Sequence, residues 1–134
     1  MAEFLLDTNH VIHLLDGMQT LRERIQAVPK KDQKFGISVT ILGEIYLAVY
    51  ASHRRDKNYQ ALQDYLSSMI IWPFEEAAAE EFGLILAEQK SKGRTIPPMD
   101  AQIAAIARLH DLTLLTADHH FQFVERLKIE NWLV

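Results

Sequence analysis

Short apolar runs alternate along this chain with stretches whose apolar residues recur every three to four positions. Glu3 to Leu6 reads as a buried strand that stops at Asp7-Thr8-Asn9, and His10 to Leu15 then follows helical spacing up to Gly17, a natural helix stop. Gln19 to Val28 continues as a charged amphipathic helix before Pro29. Phe35 to Val39 predicts a second strand, Thr40 to Ser52 and Tyr59 to Ser68 two helices, and the β-branched and aromatic Met69 to Trp72 a third strand closed by Pro73. Glu75 to Lys92 is acidic at its start and basic at its end, as the helix dipole prefers, and Gly93 ends it. After Pro97-Pro98 come a helix over Met99 to His110, a fourth strand over Leu112 to Thr116, a helical turn over Phe121 to Val124 and an edge strand over Ile129 to Leu133. Alternation of this kind predicts an α/β fold: a mainly parallel sheet covered by helices on both faces, with right-handed crossovers and ligands at the carboxyl ends of the strands.

The 134 residues suit one domain spanning 1–134. With 49% hydrophobic and 24% charged residues the chain can build a core without staples, and the absence of cysteine excludes disulfides, thiolate zinc sites, iron–sulfur clusters and a cysteine nucleophile. Glu3, Asp7 and Asp16 interrupt the region where an export signal would need a basic and then a long apolar stretch. No apolar run approaches the roughly 20 residues that cross a bilayer. A cytoplasmic protein without membrane contact is the expectation.

Two predicted helices share an anomaly. Ile41, Glu44, Ile45 and Ala48 fall on one face, as do Asp100, Ile103, Ala104 and Ala107, so each apolar stripe contains a single carboxylate. Asp7 and Asp118 each follow an apolar strand, at the sheet edge that also faces the starts of the following helices. Burying unpaired carboxylates costs several kcal/mol, and no lysine or arginine accompanies these four in a motif that would neutralise them. A divalent cation would. All-oxygen ligation selects hard ions, Mg²⁺ or Mn²⁺ rather than zinc, and such ions serve phosphodiester hydrolysis. The net charge of −4 argues mildly against a nucleic-acid coat, but it equals the charge of the four acids themselves. Basic groups that could follow a phosphate backbone are Arg22 with Arg24, Lys30-Lys31-Lys34, Arg54-Arg55-Lys57 and Lys90-Lys92-Arg94.

Taken in order, Phe4-Leu5-Leu6-Asp7-Thr8-Asn9, Ser38-Val39-Thr40-Ile41-Leu42-Gly43-Glu44, Asp100 to Ala107, and Leu114-Leu115-Thr116-Ala117-Asp118 with Phe121 resemble the PIN-domain nucleases, in particular the VapC toxins of toxin–antitoxin pairs. The likeness covers essentially the whole chain. It implies a PIN-like three-layer α/β/α sandwich and a metal-dependent ribonuclease, usually homodimeric and silenced by a cognate antitoxin. It makes Asp7, Glu44, Asp100 and Asp118 the acidic cluster, with Asp7 and Asp100 the most direct ligands of Mg²⁺ or Mn²⁺ and Thr8, Asn9 and Thr116 their polar supports. His119 and His120 stand where that pattern varies and receive no role.

Other readings compete with this one. Asp7 could begin a turn, Asp100 could complement a helix terminus, and Asp118 could start an Asx-turn; Glu44, inside a helix, would need an ion-pair partner. His10 and His13 share a helix face but lack a third zinc ligand. Tyr46, Tyr50, Tyr59 and Tyr65 suit a core or a subunit contact better than base stacking. A phosphate-accepting signalling domain would need paired acids after the first strand, an aspartate-nucleophile phosphatase would need an acid where Asn9 stands, and a non-catalytic binding module would not need four acids. A non-toxin PIN nuclease remains the nearest alternative.

Overall fold

A computed structural model describes residues 2–29, 31 and 33–134; Lys30, in one of the basic groups above, lies outside them. The described elements run β1 (Ala2–Leu6), α1 (Thr8–Leu15), α2 (Gln19–Ala27), β2 (Gln33–Ser38), α3 (Val39–Ala51), α4 (Arg55–Leu66), β3 (Ile70–Trp72), α5 (Glu76–Ser91), α6 (Pro98–Leu109), β4 (Thr113–Leu115), a short 3₁₀ helix (His119–Phe123) and β5 (Lys128–Glu130). The five strands form one sheet in the order β3-β2-β1-β4-β5, with every neighbouring pair parallel.

The order places β1 at the centre and makes it the point where the chain changes direction across the sheet. From β1 it steps outward to β2 and β3, then returns past β1 to β4 and β5. Right-handed crossovers carry the helices of the outward steps and those of the return to opposite faces, which gives the expected α/β/α layering. Leu5, Leu6, Ile37, Leu114 and Leu115 are fully buried in the middle layer, and Ile41, Ile45 and Val49 of α3 cover it. Helix α6 is buried on nearly all sides, through Ala101 and the run Ile103 to Ala107. Its alanines keep the helix thin where α5 packs against it.

Local chemistry sets several boundaries. Asp7 caps α1, which starts at Thr8 rather than His10, and Ser38 caps α3 through a 3.1 Å bond from Ile41 N–H. Pro98 stands at the first position of α6. Gly93, with φ 69°, ends α5 as a left-handed residue. Gly36 is needed for another reason: a Cβ there would overlap the Ile70 carbonyl and the Trp72 ring on the neighbouring strand β3. The final strand is β5 at Lys128–Glu130, earlier and shorter than Ile129 to Leu133. Beyond it the chain leaves the sheet because Trp132 turns inward, packs tilted against Phe4 and edge-on against Phe35, and gives its backbone N–H to His10 Nε2 at 3.1 Å.

Candidate active site

The site grows from the carboxyl ends of β1 and β4, which lie side by side with Leu6 opposite Leu115. Two backbone bonds of 2.9 Å extend the sheet past the strand ends, Asp7 N–H to Leu115 O between β1 and β4 and Thr116 N–H to Glu130 O between β4 and β5. They leave Asp7 and Thr116 as neighbours at the edge. The Thr116 hydroxyl donates to Asp7 Oδ2 at 2.7 Å and accepts the Asp118 N–H at 3.0 Å, so one buried hydroxyl joins the Asp7 side chain to the backbone that carries Asp118. The other Asp7 oxygen accepts the Thr8 N–H at 2.8 Å. Asp7 is thus held from both sides, at 8% exposure.

Glu44 and Asp100 reach the same edge from helices. The buried face of α3 is Ile41, Ile45 and Val49; Glu44 sits on its flank, half-buried, and Ala48 is exposed instead of sharing the core stripe. Asp100 occupies the first turn of α6, also half-buried, while Ile103, Ala104 and Ala107 go fully into the core. A hydrogen bond of 3.0 Å from the Thr40 hydroxyl to Gln102 Oε1 ties the start of α3 to that of α6. Asp118 stands three residues past β4 and caps the 3₁₀ helix by accepting the His120 N–H at 2.9 Å. The local turn expected for Asp118 is therefore real, and Asp7, expected to begin a turn, instead caps α1. They orient both carboxylates without neutralising them.

The acids act on one another through space. Burial is the largest influence on Asp7, Glu44 and Asp100, and it raises all three pKa values above the ordinary carboxylate range. Their mutual repulsion adds to it: Asp118 acts on Asp7, Asp7 and Asp100 act on Glu44, and Asp118 and Asp7 act on Asp100. Thr8 pulls Glu44 partway back toward the ionised form, although its hydroxyl is buried and completes no hydrogen bond. Among the described residues, no lysine or arginine forms an ion pair with any of the four acids. Such a set can hold a hard cation: it has carboxylate oxygens in excess, an orphaned hydroxyl beside them, and pKa values that an added positive charge would lower.

Of the expected supports, Thr116 and Thr8 adjoin the acids, whereas Asn9 is exposed on the first turn of α1 and makes no side-chain hydrogen bond to them. His120, given no role from sequence, lies with Nδ1 3.2 Å from Asp118 Oδ1 and 3.7 Å from Asp100 Oδ2. An imidazole two residues after a strand-end aspartate was the available signal. His10 and His13 diverge. The first is buried under Trp132, with a pKa lowered to about 4 chiefly by burial, and the second bonds the Asn9 carbonyl at 2.7 Å. Tyr46, Tyr50 and Tyr59 stack together on α3 and α4, and the Tyr65 hydroxyl contacts the Leu14 carbonyl.

A parallel five-stranded sheet whose β1 and β4 ends carry Asp7 and Asp118, faced by Glu44 of α3 and Asp100 of α6, has the architecture of an acid-cluster nuclease; of these acids, Asp100 and Asp118 lie with His120 within 4.8 Å of one another. The chain belongs to the PIN domain family, whose model matches residues 4–127. It is similar to ribonuclease VapC2 of Haemophilus influenzae, with 30% identity across 99% of this chain and 100% of the relative. It is also 30% identical to the tRNA(fMet)-specific endonuclease VapC of Shigella flexneri, over 98% of this chain and 99% of that one. Among solved structures, VapBC2 from Rickettsia felis bound to a DNA fragment from their promoter superimposes with a TM-score of 0.89, at 25% identity and 97% and 98% coverage.

Proposed function

We propose that this chain is a metal-dependent endoribonuclease that hydrolyses RNA phosphodiester bonds and serves as the toxin of a toxin–antitoxin pair. The observation that carries the reading is that buried Asp7 and half-buried Glu44 and Asp100 share one sheet edge where, among the described residues, no lysine or arginine pairs with them, while burial and mutual repulsion raise their pKa values. Structural ion pairs push carboxylate pKa values down; these are pushed up, as in a site built for an external cation.

Asp7 and Asp100 would be the most direct ligands of Mg²⁺ or Mn²⁺, with Glu44 and Asp118 completing the set. Such an ion, when bound, supplies positive charge at the phosphate and a more acidic water. The chain's own groups do the rest. Thr116 and the Thr8 N–H fix both oxygens of Asp7, so its orientation is set before substrate arrives. The link between Thr40 and Gln102 keeps Glu44 and Asp100 on converging helices. Any acid left ionised can accept a proton from the attacking water. Attack by water rather than by the 2′-hydroxyl breaks the bond from phosphorus to the 3′-oxygen and leaves a 5′-phosphate and a 3′-hydroxyl.

The edge is open, with Glu44, Asp100 and Asp118 all partly exposed, which suits a polymer threading past more than an enclosed metabolite. The Shigella relative makes transfer RNA the first substrate to assay. The similarity to VapC toxins supports a cognate antitoxin and a homodimer. A cytoplasmic setting fits an RNA substrate, and among the described residues no helix is long and apolar enough to cross a membrane.

The test is cleavage of end-labelled RNA with Mg²⁺ or Mn²⁺. We expect cutting that EDTA abolishes and that falls by about 10³-fold, some 4 kcal/mol of barrier, in Asp7→Asn and Asp100→Asn. Undiminished cutting by these variants, shown to be folded by circular dichroism, would place the activity elsewhere.

A further inference from the structure

Asp118 and His120 leave β4 together and face Asp100 across the edge. One ligand atom from each, Nδ1 of His120 and an oxygen of each aspartate, lie within 4.8 Å of one another. Adjacent ligands around an octahedral ion, each about 2.1 Å from it, stand about 3 Å apart. The separations of 3.2 Å to Asp118 and 3.7 Å to Asp100 are close to that value. The backbone helps to set them, because the His120 N–H bonds Asp118 Oδ1 and so fixes the turn from which the ring projects. That oxygen keeps a free lone pair. The ring itself is largely exposed, at 62%, so no packing holds it against the acids and small movements can close the remaining distance.

We propose that His120 is a nitrogen ligand of the ion held by Asp100 and Asp118, and that it biases this site toward Mn²⁺ over Mg²⁺. Imidazole is a softer donor than carboxylate, and the first-row transition ions gain more from it than Mg²⁺ does, which prefers oxygen and water. The competing role for His120, a protonated counter-ion to the two aspartates, makes the opposite demand. A cationic ring leaves when a metal arrives, whereas a ligand ring must be neutral and stay.

The inference rests on the metal-dependent reading above, and the experiment separates the two. Purified full-length protein is loaded with Mn²⁺ and examined by pulsed electron paramagnetic resonance for the nitrogen modulation of a bound imidazole, and Mn²⁺ and Mg²⁺ are titrated calorimetrically. The expected result is nitrogen modulation in the wild type and in His119→Ala, and its loss in His120→Ala. With it, Mn²⁺ affinity should fall in His120→Ala by at least the roughly tenfold that even outer partners of a metal site are worth, and Mg²⁺ affinity should fall less. Mn²⁺ bound without nitrogen modulation, or with modulation that survives in His120→Ala, overturns the His120 assignment and leaves the nuclease reading intact. Equal losses for the two ions overturn the selectivity. Failure of the wild type to bind either ion removes both readings.

Discussion

Two acid-rich clusters lie toward the two ends of α6, and their electrostatics run in opposite directions. At the junction of α5, α6 and the C-terminal segment, the Arg108 side chain is 2% exposed and bonds Glu81 at 2.6 Å and Glu88 at 2.8 Å, while Arg126 adds a second 2.8 Å bond to Glu88. The hydrogen bond from Arg108 is the largest influence on Glu88 and holds its pKa below the usual range. Burial works against the Arg108 charge, but its bonds to Glu88 and Glu81 outweigh that and raise its pKa. At the β1 and β4 edge, burial and repulsion raise three carboxylates, and among the described residues no arginine pairs with them. One cluster is neutralised by arginines of its own; the other has no such partner among the described residues. Carboxylate density alone does not distinguish the two clusters, whereas the presence of a paired arginine does.

The largest effect on stability should come from the completed cluster. Arg108→Ala leaves two glutamates without their buried partner and should cost about 3 kcal/mol in urea denaturation, against a change near zero for Asp7→Asn in metal-free protein. A smaller loss at Arg108 than at Asp7 would erase the contrast. Next comes the ion. Mn²⁺ at about a hundred times its dissociation constant should stabilise the wild type by about 2.7 kcal/mol, or roughly 10 °C in thermal melts, and EDTA should reverse this. Arg108→Ala should keep that increment and Asp100→Asn should lose it.

Thr116→Val tests the edge more finely. It removes the hydroxyl that holds Asp7 and Asp118 together, and we expect roughly a tenfold drop in RNA cleavage, about 1.4 kcal/mol, with a stability loss of about 1 kcal/mol. Full activity in this variant would show that Asp7 needs no such anchor.

The subtlest difference is in pH dependence without metal. Asp7, Glu44 and Asp100 have folded pKa values above their unfolded ones, so the stability tied to their protonated forms is complete below pH 4 and is lost as pH rises through the folded values. Glu88 has the reverse shift, so its contribution is present above its ordinary value of 4.5 and disappears as pH falls through the lowered one. Denaturation in EDTA across this range should show the upper limb flattened by Asp7→Asn and the acid limb flattened by Arg108→Ala.

How much of this was readable beforehand varies by element. The strands at Phe4-Leu5-Leu6 and Leu114-Leu115 and the stops at Gly17 and Gly93 declare themselves, because apolar runs and left-handed glycines carry local signals. Helix α1 starts two residues before its apolar pattern does, since capping by Asp7 rather than periodicity sets its first turn. The last strand is cut short because Trp132 finds Phe4, Phe35 and His10, partners from distant parts of the chain. Asn9, two residues beyond Asp7, makes no side-chain bond to the acids, and His120, two residues beyond Asp118, lies against two of them. A helix start and a 3₁₀ turn aim neighbouring side chains in different directions.

Composition and periodicity were enough to determine an α/β fold, and the four isolated acids to point to candidate chemistry at its strand ends, because burial patterns and the cost of unpaired charge are properties of local sequence. Which acids meet, which hydroxyl holds them and which histidine joins them were decided only when β1 and β4 paired in register and α3 and α6 packed above that edge. Contacts spanning a hundred residues depend on how whole elements pack, and no local segment encodes that alone.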